Sequence, residues 1–218
     1  HMLIDATWPL AATLAMFVTM ATGNYMREEA QRAQIRSAFG QYLSPALVAQ
    51  LSDDPSRLVL GGETRELSVL FTDVRGFTTI SESFKANPQG LTRLMNRFLT
   101  VMSNAIMETE GTIDKYMGDA IMAFWNAPVP CPDHAVRSCR AALLMLERVA
   151  ALNASAREEV NRTGGQFHQI NIGVGINSGF CVVGNMGSDM RFDYTALGDT
   201  VNLASRLEGQ SKPFGLSL

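Results

Sequence analysis

The sequence predicts a mixed α/β chain of the α+β kind, a sheet-and-helix core preceded by a membrane-proximal helix. Three observations predict it. From Arg65 onward, apolar runs of strand length alternate with amphipathic stretches of helix length, in the order β-α-ββ-α-β with further strands behind. Glycine, proline and aspartate clusters separate these segments. Ahead of Arg65 there is no such alternation, and the front of the chain reads as helix.

Composition sets the bounds. With 218 residues the chain can bury one core and still carry an appendage. Its 46% hydrophobic and 18% charged content is that of a globular protein. The net charge of −3 leaves no basic stripe for phosphates, which excludes nucleic acid as a partner. Three cysteines, Cys131, Cys139 and Cys181, lack metal-ligand spacing and fit a reduced, cytoplasmic compartment.

His1-Met2 has the form of a cleaved tag, so the natural chain is expected to continue upstream. Leu3 to Ala21 is apolar apart from Asp5 and scattered threonines, and no charge occurs from Trp8 to Gly23. That run falls short of the ~20 apolar residues of a full span. Trp8 and Tyr25 could mark two interfaces, with Arg27, Arg32 and Arg36 on the inner side. Residues 1–24 are therefore expected to be a truncated membrane end, anchoring the rest in the cytoplasm. An amphipathic or buried helix is the alternative.

Residues 25–60 form the expected connector. Tyr25 to Gln50 reads as helix, with Ala30, Ala33, Phe39 and Tyr42 near helical spacing. Ser44-Pro45 predicts a break and a short helix from Ala46 to Leu51, ended by Asp53-Asp54-Pro55. Gly61-Gly62 marks the boundary to the main domain, 61–218.

Within that domain Leu67 to Thr72 is a strand suited to a sheet interior. Gln89 to Thr109 is an amphipathic helix with Leu91, Leu94, Met95, Phe98, Met102 and Ile106 on one face. Gly111 to Trp125 reads as two strands joined at Met117-Gly118, and Asp133 to Leu152 as a helix. The polar stretch Asn153 to Gly165 is expected to be a loop. Ile170 to Ile176 and Phe180 to Gly184 are expected as two strands turned at Gly179, followed by a strand near Phe192 to Thr195 and a helix from Thr200 to Glu208. The order is that of a split βαβ, ferredoxin-like core.

Several residues could carry chemistry. Asp73 ends a buried strand before a glycine-containing loop, where a carboxylate suits hydrated Mg²⁺ carrying phosphates or simply caps the next helix. Asp119 begins another strand, and two such carboxylates could form a two-metal site. Only three of the eighteen basic residues are lysines, so Lys115 in mid-strand stands out. A two-residue loop at Met117-Gly118 would pair Tyr116 with Asp119 and send Lys115 and Asp119 to opposite faces, as a two-fold dimer could use. Asn202 and Arg206 share a helix face, where they could orient a sugar and stabilise phosphoryl charge, or where Arg206 could simply pair with Glu208.

Three stretches together, Phe71-Thr-Asp-Val-Arg-Gly-Phe77, Asp114-Lys-Tyr-Met-Gly-Asp-Ala120 and Gly198-Asp-Thr-Val-Asn-Leu-Ala-Ser-Arg206, resemble the class III nucleotidyl cyclases in type, order and spacing. The resemblance covers Arg65 to about Gly215. It implies a homodimer with sites at the subunit interface. It implies that Asp73, Asp119 and the Val74 carbonyl of one subunit bind two Mg²⁺ or Mn²⁺. Backbone amides of the Val74–Thr78 loop, at Gly76, Phe77 and Thr78, would receive the β- and γ-phosphates. From the other subunit Lys115 would meet the purine, Asn202 the ribose and Arg206 the phosphates. Thr195, seven residues before Asn202, falls at the family's second base-reading position. Guanylate-specific members resemble one another in carrying Glu and Cys where this chain has Lys115 and Thr195, so the resemblance implies ATP and cyclic AMP. It also implies further strands and a phosphate-contacting lysine beyond Leu218, a motif that Lys212 does not match. A non-catalytic dimerisation module on the same fold is the alternative from another class, though such members usually lack a metal aspartate or the helix arginine. A diguanylate cyclase is disfavoured because no GGDEF signature stands near Met117 to Ala120.

Overall fold

Why the chain folds as it does is clearest in β1, whose alternating side chains are buried on both faces. The computed structural model describes residues 7–39, 61–164, 166–188 and 191–218, and the chain divides into two units, His1–Arg57 and Leu58–Leu218. In the first unit one helix, α1 (Thr7–Phe39), runs through both the uncharged stretch and the first arginines. The hydroxyls of Thr19 and Thr22 donate back to the carbonyls of Ala15 and Val18, so these polar side chains are satisfied within the helix. Among the described residues no helix is long and apolar enough to cross a membrane. Threonines, Gly23 and Asn24 dilute the apolar run, so the expected truncated span does not stand as a span by itself. The break at Ser44-Pro45, the short helix from Ala46 to Leu51 and the turn at Asp53-Asp54-Pro55 lie outside the described residues.

The second unit contains β1 (Gly61–Val74), α2 (Phe77–Ser83), α3 (Pro88–Glu108), β2 (Thr112–Met117), β3 (Ala120–Trp125), α4 (His134–Thr163), β4 (Ile172–Ser188), β5 (Arg191–Leu197) and α5 (Asp199–Ser211). The sheet order is β2-β3-β1-β4-β5, and every neighbouring pair is antiparallel. This is the expected split βαβ arrangement with β5 added at one edge.

Leu70, Val74, Ile121, Ala123, Trp125, Ile172 and Val174 form one face of the core. They pack against Phe98, Met102 and Ile106 of α3 and Ala141, Met145 and Val149 of α4. Fully burying an apolar side chain of this size stabilises by about 1.5–3 kcal/mol. Pro88 stands at the start of α3, and the Asn87 side chain accepts from the Gly90 amide at 3.0 Å, fixing where the helix begins. On the opposite face Leu67, Val69, Met122, Phe124, Cys181, Val183 and Ala196 pack with Ala204 of α5. A Cβ on Gly175 would overlap the backbone of Ala204 and Glu208, so this glycine sets how closely α5 lies on the sheet.

Four expectations change. Asn153 to Thr163 is the end of α4, not a loop. Its polar residues form a solvated face, and Gly164 closes it by donating its N–H to the Val160 carbonyl. Second, β4 is one 17-residue strand; Gly179 pairs with Leu67 in the ladder and makes room for Thr200. Third, Gly61-Gly62 opens β1, pairing with Asn185 and Gly184, so the sheet extends further back than expected.

Fourth, the hairpin has a different register. Met117 pairs with Ala120 and Lys115 with Met122, with an irregularity between Ile113 and Lys115. Gly118, at φ 69°, supplies the left-handed turn and leaves Asp119 in the loop. Face alternation therefore does not apply to Asp119. Lys115 lies on the Met122 face, and so does Asp73, two residues beyond Phe71 of the same cluster. The expected opposite-face arrangement is not what forms.

Candidate active site

Two groups of side chains emerge from this frame, each organised by a carboxylate. The first lies where β1 ends and the hairpin turns. Thr72 pairs with Ile121, which brings the following Asp73 beside the Asp119 turn. The Asp119 pKa is raised to about 6, first by burial and then by the Asp73 carboxylate, both as hydrogen-bond partner and as like charge. Its own amide and that of Val74 pull in the other direction. Two carboxylates that resist being ionised together suit a divalent cation, which would remove the repulsion. Among the described residues no group of three or more His, Cys, Asp or Glu side chains could hold a metal, so the fit rests on this pair of carboxylates. Val74 itself anchors the strand end, with its side chain in the core.

Past Val74 the chain turns at Gly76, whose φ is 68°, and enters α2. The Thr79 and Ile80 amides bond to the Gly76 carbonyl. Those of Phe77 and Thr78 come earlier and have no acceptor inside the helix.

The second group joins residues distant in sequence. The Thr195 hydroxyl donates to Asp114 Oδ2 at 2.5 Å, and Lys115 Nζ stands 3.2 Å from Asp114 Oδ1. The second contact is an ion pair without hydrogen-bond alignment, since Oδ1 is buried and has no hydrogen-bond partner. The Ala196 amide also reaches the Asp114 carboxylate. β2 and β5 end the sheet on opposite sides, yet they touch here, so the sheet curls until one carboxylate bridges its outer strands.

Asn202 and Arg206 project from α5 and are exposed. Among the described residues Arg206 does not pair with Glu208. Glu208 Oε1 instead lies 3.6 Å from the Arg75 guanidinium, which also donates to the Ser211 hydroxyl and to the Leu216 carbonyl. Burial raises the Glu208 pKa, Arg75 opposes this, and the charge of Asp73 adds to it. Arg75 thus ties α5 and the chain after it to the residue two positions past Asp73. Asp114 and Arg75 were given no role in the sequence, and Glu208 only that of a partner for Arg206. The signal for Asp114 was a second charge beside Lys115 in an apolar strand.

The adenylate and guanylate cyclase catalytic domain matches residues 61–216. The chain belongs to that family. Adenylate cyclase 1 of Rhizobium meliloti (strain 1021) is 38% identical over 154 residues, covering 71% of this chain and 22% of the relative. This chain spans less than a third of the length of two curated adenylate cyclases that it matches, 22% and 29%. Among solved structures, the adenylyl cyclase CyaB from P. aeruginosa is similar at 38% identity and TM-score 0.61, over 69% of this chain and 74% of that one. The guanylyl cyclase Cya2 is similar at 35% and 0.61, over 69% and 73%. The mixed α/β fold with its antiparallel sheet is that of the cyclase catalytic domain. The family is generally metal-dependent, which agrees with the Asp73–Asp119 pair.

Proposed function

We propose that this cyclase domain is an adenylate cyclase, converting ATP to 3′,5′-cyclic AMP and pyrophosphate at sites shared across a homodimer. The observation that carries the reading is the meeting of Lys115 and Thr195 on Asp114. An ammonium donor and a hydroxyl beside each other match the N1 acceptor and 6-amino donor of adenine. The curated adenylate cyclase relatives point the same way.

In this reading Lys115 and Thr195 hold the base and Asn202 orients the ribose. Arg206 takes up charge on the phosphates, while the Phe77 and Thr78 amides receive the terminal ones. Mg²⁺ or Mn²⁺ bound by Asp73, Asp119 and the Val74 carbonyl would neutralise phosphate oxygens and lower the pKa of the ribose 3′-hydroxyl. The hydroxyl gives its proton to solvent as its oxygen attacks the α-phosphorus in line, the bond from that phosphorus to the bridging oxygen breaks, and pyrophosphate leaves. Positioning and charge stabilisation supply most of the acceleration in such transfers. Asn202 and Arg206 stand exposed and, among the described residues, without a side-chain partner of their own subunit, as groups that complete a neighbour's site would.

A guanylate cyclase is the second reading, supported by the likeness to Cya2. Lys115 weighs against it, since an ammonium faces the N1–H of guanine donor to donor. Turnover of ATP and GTP, assayed side by side with Mn²⁺ and with Mg²⁺, decides between them. Cyclic AMP as the main product supports adenylate cyclase, and cyclic GMP as the main product rejects it.

The proposal also places the domain on the cytoplasmic side of a membrane. Its support is the uncharged run from Trp8 to Gly23 followed by Arg27, Arg32 and Arg36. Recovery of the natural protein entirely in the soluble fraction would reject this part.

A further inference from the structure

Asp114 is a buried carboxylate that the proposed mechanism leaves without a task. Its side chain is fully buried, and Oδ1 has no hydrogen-bond partner. A strand interior rarely carries a charge without function or full pairing. What surrounds it are the two proposed base-reading groups, 80 residues apart in sequence, together with the Ala196 amide.

A threonine hydroxyl is ambiguous as a reader of purines. It can accept from the 6-amino group of adenine or donate to the 6-carbonyl of guanine. The environment decides which, by engaging or leaving free its one hydrogen. Here that hydrogen lies on the Thr195–Asp114 line, with Thr195 Oγ1 2.5 Å from Asp114 Oδ2. Only lone pairs remain on Thr195. At the same time Oδ1 holds the Lys115 ammonium at 3.2 Å, which fixes where it stands and balances its charge.

We infer that Asp114 is a specificity-positioning residue: it makes Thr195 an obligate acceptor and aims Lys115, so that a donor–acceptor edge like that of adenine is favoured over that of guanine. The inference rests on the adenylate cyclase reading and deepens it. A buried carboxylate in this place does not touch the base; it sets what its two neighbours can offer. A guanine would meet lone pairs at its 6-carbonyl and a cation at its N1–H, and both contacts would leave buried groups unpaired.

The experiment measures affinity for 3′-deoxy-ATP and 3′-deoxy-GTP, which lack the attacking hydroxyl and cannot cyclise. Binding is compared, with Mn²⁺ present, in the unaltered protein, Asp114→Asn, Thr195→Ala and the double variant. Asn keeps the size of Asp114 but can present an N–H to Thr195, which frees the hydroxyl hydrogen for a purine carbonyl. The expected result is a fall of about tenfold or more in the preference for the adenine nucleotide. Adding Asp114→Asn to Thr195→Ala should lower the preference far less, because the hydroxyl it controls is gone. An unchanged preference in folded Asp114→Asn overturns the inference, and so does an equal fall in the Thr195→Ala background.

Should Asp114→Asn fail to fold, the unaltered protein supplies the test. An analogue of 3′-deoxy-ATP dimethylated on its 6-amino group can no longer donate. Affinity equal to that of 3′-deoxy-ATP overturns the inference, and a loss of about tenfold or more supports it. Turnover separates the two levels of the argument. A protein that cyclises GTP in preference to ATP overturns the function and this inference together, whereas an ATP-specific enzyme with no response at Asp114 overturns the inference alone.

Discussion

At Asp119 two carboxyl groups share a space that water only partly reaches. Its pKa of about 6, against an ordinary 3.8, means that the folded metal-free protein holds a proton more tightly than the unfolded chain does. The stability so gained is fully present below about pH 4 and is lost as the pH rises through about 6. Asp119→Asn removes this liability. In metal-free protein the variant should melt higher than the unaltered domain at pH 8 and show no such gain at pH 4, measured by thermal unfolding. A gain of the same size at both values would mean that the repulsion from Asp73 is not its cause. Arg75 shows how a neighbouring residue escapes notice in the sequence. It stands in a loop motif and looks like an exposed cation, but folding places it against Glu208, Ser211 and Leu216. Contacts across more than 130 residues leave no mark on local pattern.

Among the elements, α5 depends most on what lies beneath it. Val201, Ala204, Glu208 and Ser211 face the molecule, while Asn202 and Arg206 face out. Gly175 allows the helix to sit against β4. Gly175→Ala therefore has to push back backbone rather than a flexible side chain. Its expected cost is about 1–3 kcal/mol in urea unfolding, the range of overpacked cores, together with a loss of cyclase activity as Arg206 shifts. Stability within about 0.5 kcal/mol of the unaltered protein would show that α5 is not held by this contact. The hairpin gives the complementary lesson. Its two strands and its glycine turn were legible from apolar spacing and Gly118. Its register was not, because the turn falls on Gly118-Asp119 and an irregularity between Ile113 and Lys115 offsets the pairs farther from it.

For the whole molecule, the separation of the two groups is the point of interest. Asp73 and Asp119 meet at one place and Lys115 and Thr195 at another, with Asn202 and Arg206 turned to solvent. An exposed apolar stripe of Phe180, Val182 and Leu197 on the β4–β5 arm adds a surface of the kind that associates. A homodimer in which each site takes metal ligands from one subunit and base-reading residues from the other makes a definite prediction. Asp73→Ala and Arg206→Ala should each be inactive alone. Mixed in equal amounts they should recover roughly a quarter of the unaltered activity, because half of the dimers are mixed and each mixed dimer has one intact site. Absence of recovery with heterodimers present, seen by size and tag exchange, would reject sites shared between subunits.

Taken by itself, the sequence determined the order of the elements, the two buried faces of β1, the amphipathic helix near Gln89 to Thr109 and the choice of Asp73, Asp119, Lys115, Thr195, Asn202 and Arg206 as the residues to watch. These are local properties: apolar period, turn chemistry and motif spacing are written along the chain. It misread Asn153 to Thr163, where polarity marked a solvated helix face instead of a loop, and Gly179, which stays in a strand because α5 covers it. Tertiary structure alone decided which carboxylate each functional residue would meet. The curl that brings β2 to β5 places Asp114 under Thr195, and the turn at Gly118 sends Asp119 to Asp73. Such pairings are settled by the closing of the sheet and by the cost of leaving a buried charge alone, and neither can be computed one segment at a time.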